Sequence, residues 1–145
     1  MLNQADSPIR VIIVDDHPVV RAGLTSMLET QSQLQVVGTA SSGEEALEIV
    51  RRDSPDVLLL DLRMPNMNGI DAAHKIREKL GDSCPLIFAL TAEALEGDKQ
   101  RFLALGFDGY LSKPLQSRTL QATLKMVSAS PRLAKAEDLG SLQPN

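Results

Sequence analysis

The chain has 145 residues, the size of one domain and enough to bury a core without a disulfide or structural metal. Its formal net charge of −4, with three Phe, one Tyr and no Trp, argues against a basic nucleic-acid footprint and against a base-stacking platform. The one cysteine, Cys84, cannot form an internal disulfide and fits a reducing cytoplasm, and no apolar run approaches the roughly 20 residues that cross a bilayer.

Residues 1–8 read as a loosely ordered leader and 9–127 as one folded domain. Residues 128–145, rich in Ser, Ala, Pro and charge, read as a tail or linker stub. The first strand is Ile9–Val14, whose continuous run Val11-Ile12-Ile13-Val14 suits a strand buried on both faces. It ends in Asp15-Asp16. Pro18 fits a first helical turn, and Val20, Leu24 and Met27/Leu28 follow at helical spacing. A weaker strand covers Gln35–Ala40. Ser42 and Glu45 have capping-box spacing and open a helix through Arg52, with Leu47 and Val50 on its buried stripe. The third strand, Val57–Leu60, runs into Asp61, after which Pro65, Asn66, Asn68 and Gly69 mark an irregular loop.

Ile70, Ala73, Ile76/Arg77 and Leu80 mark the next helix, ended by Gly81. Leu86–Leu90 is a fourth apolar strand, followed at once by Thr91. A helix from about Glu93 carries Leu95, Phe102 and Leu105 and stops at Gly106 in a left-handed cap, with Phe107 beyond. Tyr110-Leu111 belong to a short fifth strand that ends near Ser112-Lys113-Pro114. The last helix runs from Gln116 to about Val127 and turns Leu120, Leu124 and Val127 inward.

Five strands alternating with five helices specify an α/β fold. The sheet is doubly wound, parallel and five-stranded, in the flavodoxin-like order 2-1-3-4-5 with right-handed crossovers. That order puts Asp15/Asp16 beside Asp61 at the carboxyl edge of the sheet, where such folds bind ligands. Two carboxylates about 5 Å apart repel by roughly 3 kcal/mol at an effective dielectric near 20. Three acids therefore call for a cation or a bound proton. Mg2+ suits a few carboxylates with waters and phosphate oxygens. With Lys113 as a point charge and Thr91 as a hydroxyl donor, the set implies phosphoryl transfer to an aspartate.

The acidic pair, the Leu59–Pro65 segment with Asn68-Gly69, Leu90-Thr91-Ala92 and Tyr110-Leu111-Ser112-Lys113-Pro114 together resemble the receiver domain of two-component response regulators. The likeness runs from about Ile9 to Val127. It implies that Asp61 accepts the phosphoryl group from a histidine kinase or phosphotransfer protein. It also implies that Asp16, Asp61 and the Arg63 carbonyl bind Mg2+, with Asp15 acting mainly through water. By the same resemblance Lys113 holds a phosphoryl oxygen, the Lys113–Pro114 peptide is cis, and Thr91 and Tyr110 form a switch pair. The surface of the fourth helix, fifth strand and fifth helix would then change for a downstream protein, a fused output domain or a phosphorylation-dependent homodimer.

Several residues carry a second reading. Arg63 and Glu93, each two residues past a cleft residue, are expected on the rim, where a bridge between them would hinder the hydrolytic water. The alternative is an exposed pair worth little. His17 reads as a solvated rim residue rather than a metal ligand, His74 as incidental on an outer helix face, Cys84 as packing, and Met64 and Met67 as loop padding. A Mg2+-dependent aspartate-nucleophile phosphatase would want a second acid where Arg63 stands. A constitutive scaffold would not need the intact acids. The opening residues 15–24 resemble receivers joined to helix-turn-helix domains, whereas Leu90–Pro114 is closer to receivers of hybrid sensor kinases.

Overall fold

The computed structural model describes residues 8–64, 67–92 and 97–128, without the side chains of residues 99, 124–126 and 128. The elements are β1 Ile9–Val14, α1 Pro18–Glu29, β2 Leu34–Ala40, α2 Gly43–Asp53, β3 Val57–Asp61 and α3 Gly69–Leu80. There follow a 3-10 turn Gly81–Ser83, β4 Leu86–Thr91, α4 Asp98–Ala104, β5 Gly109–Ser112 and α5 Ser117–Ser128. The sheet is wholly parallel in the order β2-β1-β3-β4-β5, as the alternation of apolar runs and helices requires.

Alternation along the central strands sorts the core into two layers. Ile12, Val14, Leu58, Leu60, Ile87 and Ala89 face α2, α3 and α4, meeting Ile49, Ala72, Ile76 and Phe102. Val11, Ile13, Leu59, Phe88 and Leu90 face α1 and α5, meeting Leu24, Leu28, Leu120 and Val127. Cys84 is buried in the first layer, where Met64 also packs and Met67 leans against it, so the packing roles expected of all three hold. Among the described residues no helix is long and apolar enough to cross a membrane.

Helix ends follow local chemistry. The Ser42 hydroxyl accepts from the Glu45 amide at 3.1 Å, while the Glu45 carboxylate reaches past the cap to the Ser41 amide at 2.8 Å. The capping box thus closes one residue earlier than its standard form. At the end of α4, Gly106 adopts φ 102°; its amide donates to Leu103 and the Phe107 amide to Phe102. This is a Schellman ending, with the rings of Phe102 and Phe107 packed edge to face at 6.0 Å. The expected start of this helix near Glu93, with Leu95, lies outside the described residues, as do residues 1–7 and 129–145. Leu124 was expected to face inward; its side chain too is outside them.

Candidate functional site: an acidic cleft at the sheet's carboxyl edge

β1 and β3 end side by side because Val14 pairs with Leu60. The acids that follow are about 45 residues apart in sequence yet meet across one cleft. One ligand atom from each of Asp15, Asp16, His17 and Asp61 lies within 4.8 Å of the others. Thr91 and Lys113 come from the ends of β4 and β5, tied together where the Lys113 amide donates to the Thr91 carbonyl at 2.8 Å. The Lys113–Pro114 peptide is cis.

The three acids are differently placed. Asp15 is fully buried. Its Oδ2 accepts from Lys113 Nζ at 2.6 Å and its Oδ1 from the His17 amide at 2.9 Å, while Arg21 donates to its carbonyl. Burial alone would raise its pKa, but the bonds from Lys113 and His17 together hold the carboxyl below its ordinary value. Asp61 is 4% exposed. Its Oδ1 accepts from the Arg63 amide at 3.2 Å and lies 3.4 Å from Lys113 Nζ. Burial, reinforced by the negative charge of Asp15, outweighs these contacts and raises the Asp61 pKa. For Lys113, burial acts to lower the pKa, but the bond to Asp15 and the charge of Asp61 prevail and raise it.

Asp61 Oδ2 and Asp16 Oδ1 are buried without a hydrogen bond among the described residues, although His17 Nδ1 stands 3.1 Å from the latter. Unpaired buried carboxylate oxygens are costly, and a divalent cation would satisfy both at once. The donor set therefore fits a hard cation with oxygen ligands.

The cleft above these acids has a volume of about 380 Å3, and its walls include His17, Asp61, Arg63, Thr91, Asp98 and Arg101 in addition to Lys113. Arg63 is exposed at the rim as expected; Glu93, and with it the proposed bridge, lies outside the described residues. Tyr110 does not line this cleft. It is half-buried against Phe102, ring centres 5.3 Å apart, and borders a second groove of about 330 Å3 with Phe88, Leu111 and Thr119. Register pairs Ala89 with Tyr110 and Thr91 with Ser112, so Thr91 and Tyr110 share one sheet face two positions apart.

Sequence reasoning missed several contacts in and around the cleft. His17 is exposed beside the acids at the start of a helix, as expected, but its Nδ1 turns inward, 3.0 Å from Asp15 Oδ1 and 3.1 Å from Asp16 Oδ1. Asp98 and Arg101 form the far wall, 3.4 Å apart one turn along α4. Their i,i+3 spacing was the available signal. His74 is exposed but not incidental, since its Nε2 lies 3.1 Å from the Leu105 carbonyl. That contact and the 2.9 Å Arg77–Asp108 ion pair each join residues 31 apart, beyond what local spacing reveals.

A protein-family model described as a response regulator receiver domain matches residues 11–125. The nitrate/nitrite response regulator protein NarL of Escherichia coli K12 is 36% identical over 129 residues, 89% of this chain and 58% of that protein. Response regulator GacA of Pseudomonas viridiflava is 38% identical over 143 residues, 94% of this chain and 65% of that protein. The chain thus spans about three fifths of the length of these relatives. Among solved structures, chemotaxis protein CheY4 of Vibrio cholerae matches with a TM-score of 0.73 at 31% identity, covering 83% of this chain and 99% of that one. The receiver domain of sensor histidine kinase PA1611 from Pseudomonas aeruginosa, solved with a magnesium ion coordinated in its active-site cleft, matches with a TM-score of 0.73 at 31% identity. It covers 86% of this chain and 100% of that one. The family match takes in every residue of the acidic cleft, and the chain belongs to the receiver domains of two-component response regulators.

Proposed function

We propose that Asp61 is the phosphoacceptor of this receiver domain and that the cleft performs its own phosphorylation rather than catalysis on another substrate. The observation that carries this reading is Asp61 itself: a carboxylate buried at the end of β3 with one oxygen hydrogen-bonded and Oδ2 left without a partner. Oδ2 would attack the phosphorus of a phosphohistidine. The new O–P bond forms as the P–N bond breaks, and the donor imidazole leaves with the electron pair.

Asp15, Asp16, Asp61 and the Arg63 carbonyl would hold Mg2+, as a magnesium ion is held in the cleft of the PA1611 receiver. When bound, the ion would neutralise the crowded carboxylates and the incoming phosphoryl oxygens. Lys113 would exchange part of its contact with Asp15 for a phosphoryl oxygen. Thr91, at the cleft wall, would donate its hydroxyl to the same group, and Tyr110 would turn into the space this frees. The α4-β5-α5 face is then the surface read by a downstream protein, a fused output domain or a second copy. On this reading residues 9–127 are the working domain, flanked by a leader, 1–8, and a tail or linker, 128–145. A cytoplasmic histidine kinase or phosphotransfer protein is the donor.

Incubation with a small phosphodonor and Mg2+ tests this directly. An acid-stable, base-labile adduct should form and be absent in Asp61→Asn. An adduct of equal yield in that variant would place the acceptor elsewhere. Replacing both Arg63 and Glu93 with alanine should speed phosphate loss if the two guard the hydrolytic water.

A further inference from the structure

The loop between β1 and α1 lays His17 over the acids. Its side chain is 63% exposed, yet Nδ1 faces inward, 3.0 Å from Asp15 Oδ1 and 3.1 Å from Asp16 Oδ1. Three electron-rich atoms this close need positive charge among them. A proton on Nδ1 is one solution; a metal ion in its place is another. The spacing admits both: 3.0 Å is a hydrogen-bond distance, and donors about 2.1 Å from one ion also lie about 3.0 Å apart along an octahedral edge, slightly farther apart in a tetrahedron. Asp61 closes the set, because it is 4% exposed, its Oδ2 has no hydrogen-bond partner, and it belongs to the group of donors within 4.8 Å of one another.

We propose that His17 Nδ1 joins the three acids as a nitrogen ligand, making a mixed site that takes Zn2+, Cu2+ or Ni2+ in preference to Mg2+. The inference deepens the Mg2+ site proposed above and rests on the acids binding a cation at all. The chemistry of the donors separates the two classes of ion. Mg2+ keeps to oxygen and retains its waters, whereas the late first-row ions accept imidazole readily and bind such sites more tightly along the series to copper. Ions held through His17 would compete with Mg2+ for Asp16 and Asp61. They would thereby restrain phosphorylation of the domain.

The test compares Zn2+ and Mg2+ affinities of the full chain by titration calorimetry in wild type, His17→Ala and His17→Gln. It adds the electron paramagnetic resonance spectrum of the Cu2+-loaded protein. Removal of a neighbour that merely orients a metal ligand costs about 10–100-fold in affinity, so loss of a direct ligand should lower the Zn2+/Mg2+ affinity ratio by at least about tenfold. Nitrogen superhyperfine coupling should be present in wild type and in His74→Gln, and lost in both His17 variants. An unchanged ratio, or coupling that survives in His17→Gln, would overturn the role of His17 while leaving the acidic site standing. Wild type that binds neither ion would overturn the acidic site itself, and this inference with it.

Discussion

Two of the helices that start beside the acidic cleft, α3 and α4, are held in opposite ways. α3 is fixed at its near end. The Asn68 side chain accepts from the Asp71 amide at 2.9 Å, the Gly69 amide donates to Leu62, and Gly69 lies so close to the Asp61 backbone that only glycine fits. α4 is fixed at its far end. Its N-cap, Gly97, has φ 89° and offers no side-chain cap, whereas its last turn is closed by the Schellman bonds, the buried Phe102 ring and the His74 contact to Leu105. The near end of α4 nonetheless carries Asp98 and Arg101 into the cleft wall. If Asp61 takes the phosphoryl group as proposed, the new dianion would meet a capped, close-packed helix start on one side and an uncapped, charged one on the other. On that proposal α3 would serve as structural support and α4 as the responding element.

The far-end anchor of α4 can be removed outright. Phe102 is 1% exposed, and its truncation to alanine should cost about 3–5 kcal/mol of unfolding free energy, read from the urea midpoint at unchanged slope. A loss below about 1 kcal/mol, the level of an ordinary helix cap, would mean that α4 is held elsewhere. Gly69→Ala attacks the other helix. The added Cβ would press on the Asp61 carbonyl oxygen and lie 2.9 Å from Leu62 Cα. Neither backbone atom can yield freely, so overpacking of about 2–3 kcal/mol is expected. Because the clash is with Asp61 itself, adduct formation with a small phosphodonor should fall in the protein that remains folded. A merely destabilised variant would react normally once folded.

How much of this was legible in sequence depends on the range of the interaction. Val11–Val14, Val57–Leu60 and Leu86–Leu90 announce buried strands because burial on both faces demands uninterrupted apolar runs. The acids and Thr91 are readable because they directly follow such runs, while Lys113, after the short and half-polar β5, is readable only through the Tyr110–Pro114 segment around it. Ser42, Gly81 and Gly106 are readable too, since caps depend on neighbours a few residues away. β2 is the weaker case: it starts at Leu34 rather than Gln35 and carries a register shift opposite Val11/Ile12, and no local pattern sets either feature. Arg77 defeated the reading for the same reason, its partner Asp108 lying 31 residues away, whereas His17 stands beside Asp15 and Asp16 in sequence and only the direction of its ring was hidden. Both side chains take their direction after the sheet has assembled. Tyr110 sits between: its sheet face follows from alternation, but its groove exists only once α5 has docked.

A milder variant sharpens the contrast between the helices. Asn68→Ala removes the α3 cap and should cost about 1 kcal/mol. Amide exchange should quicken at Asp71, whose donor loses its acceptor, while the last turn of α4 keeps its protection. Equal loosening of both helices would show that they respond as one unit, and the assignment of support to α3 alone would fail.

The smallest expected effect belongs to Asp61→Asn in metal-free protein, because Lys113 and the Arg63 amide already offset part of the cost of burying the carboxylate. Burial and the charge of Asp15 raise the native pKa of Asp61 above that of the unfolded chain, about 3.9. Between those two values the native state keeps a proton that the unfolded state has released, so stability falls as pH rises through the window and the deficit is complete above it. Asp15 slopes the other way. Its lowered native pKa gives stability that is present above the unfolded value and is lost as pH falls through the native one. Asparagine at position 61 removes only the first effect. Thermal melts in chelator should therefore show the variant more stable than wild type near pH 7, the two converging below the unfolded carboxyl value. A wild type that is the more stable at pH 7 would mean that the Asp61 charge is well paired, and the case for a cation at its unpaired oxygen would go with it.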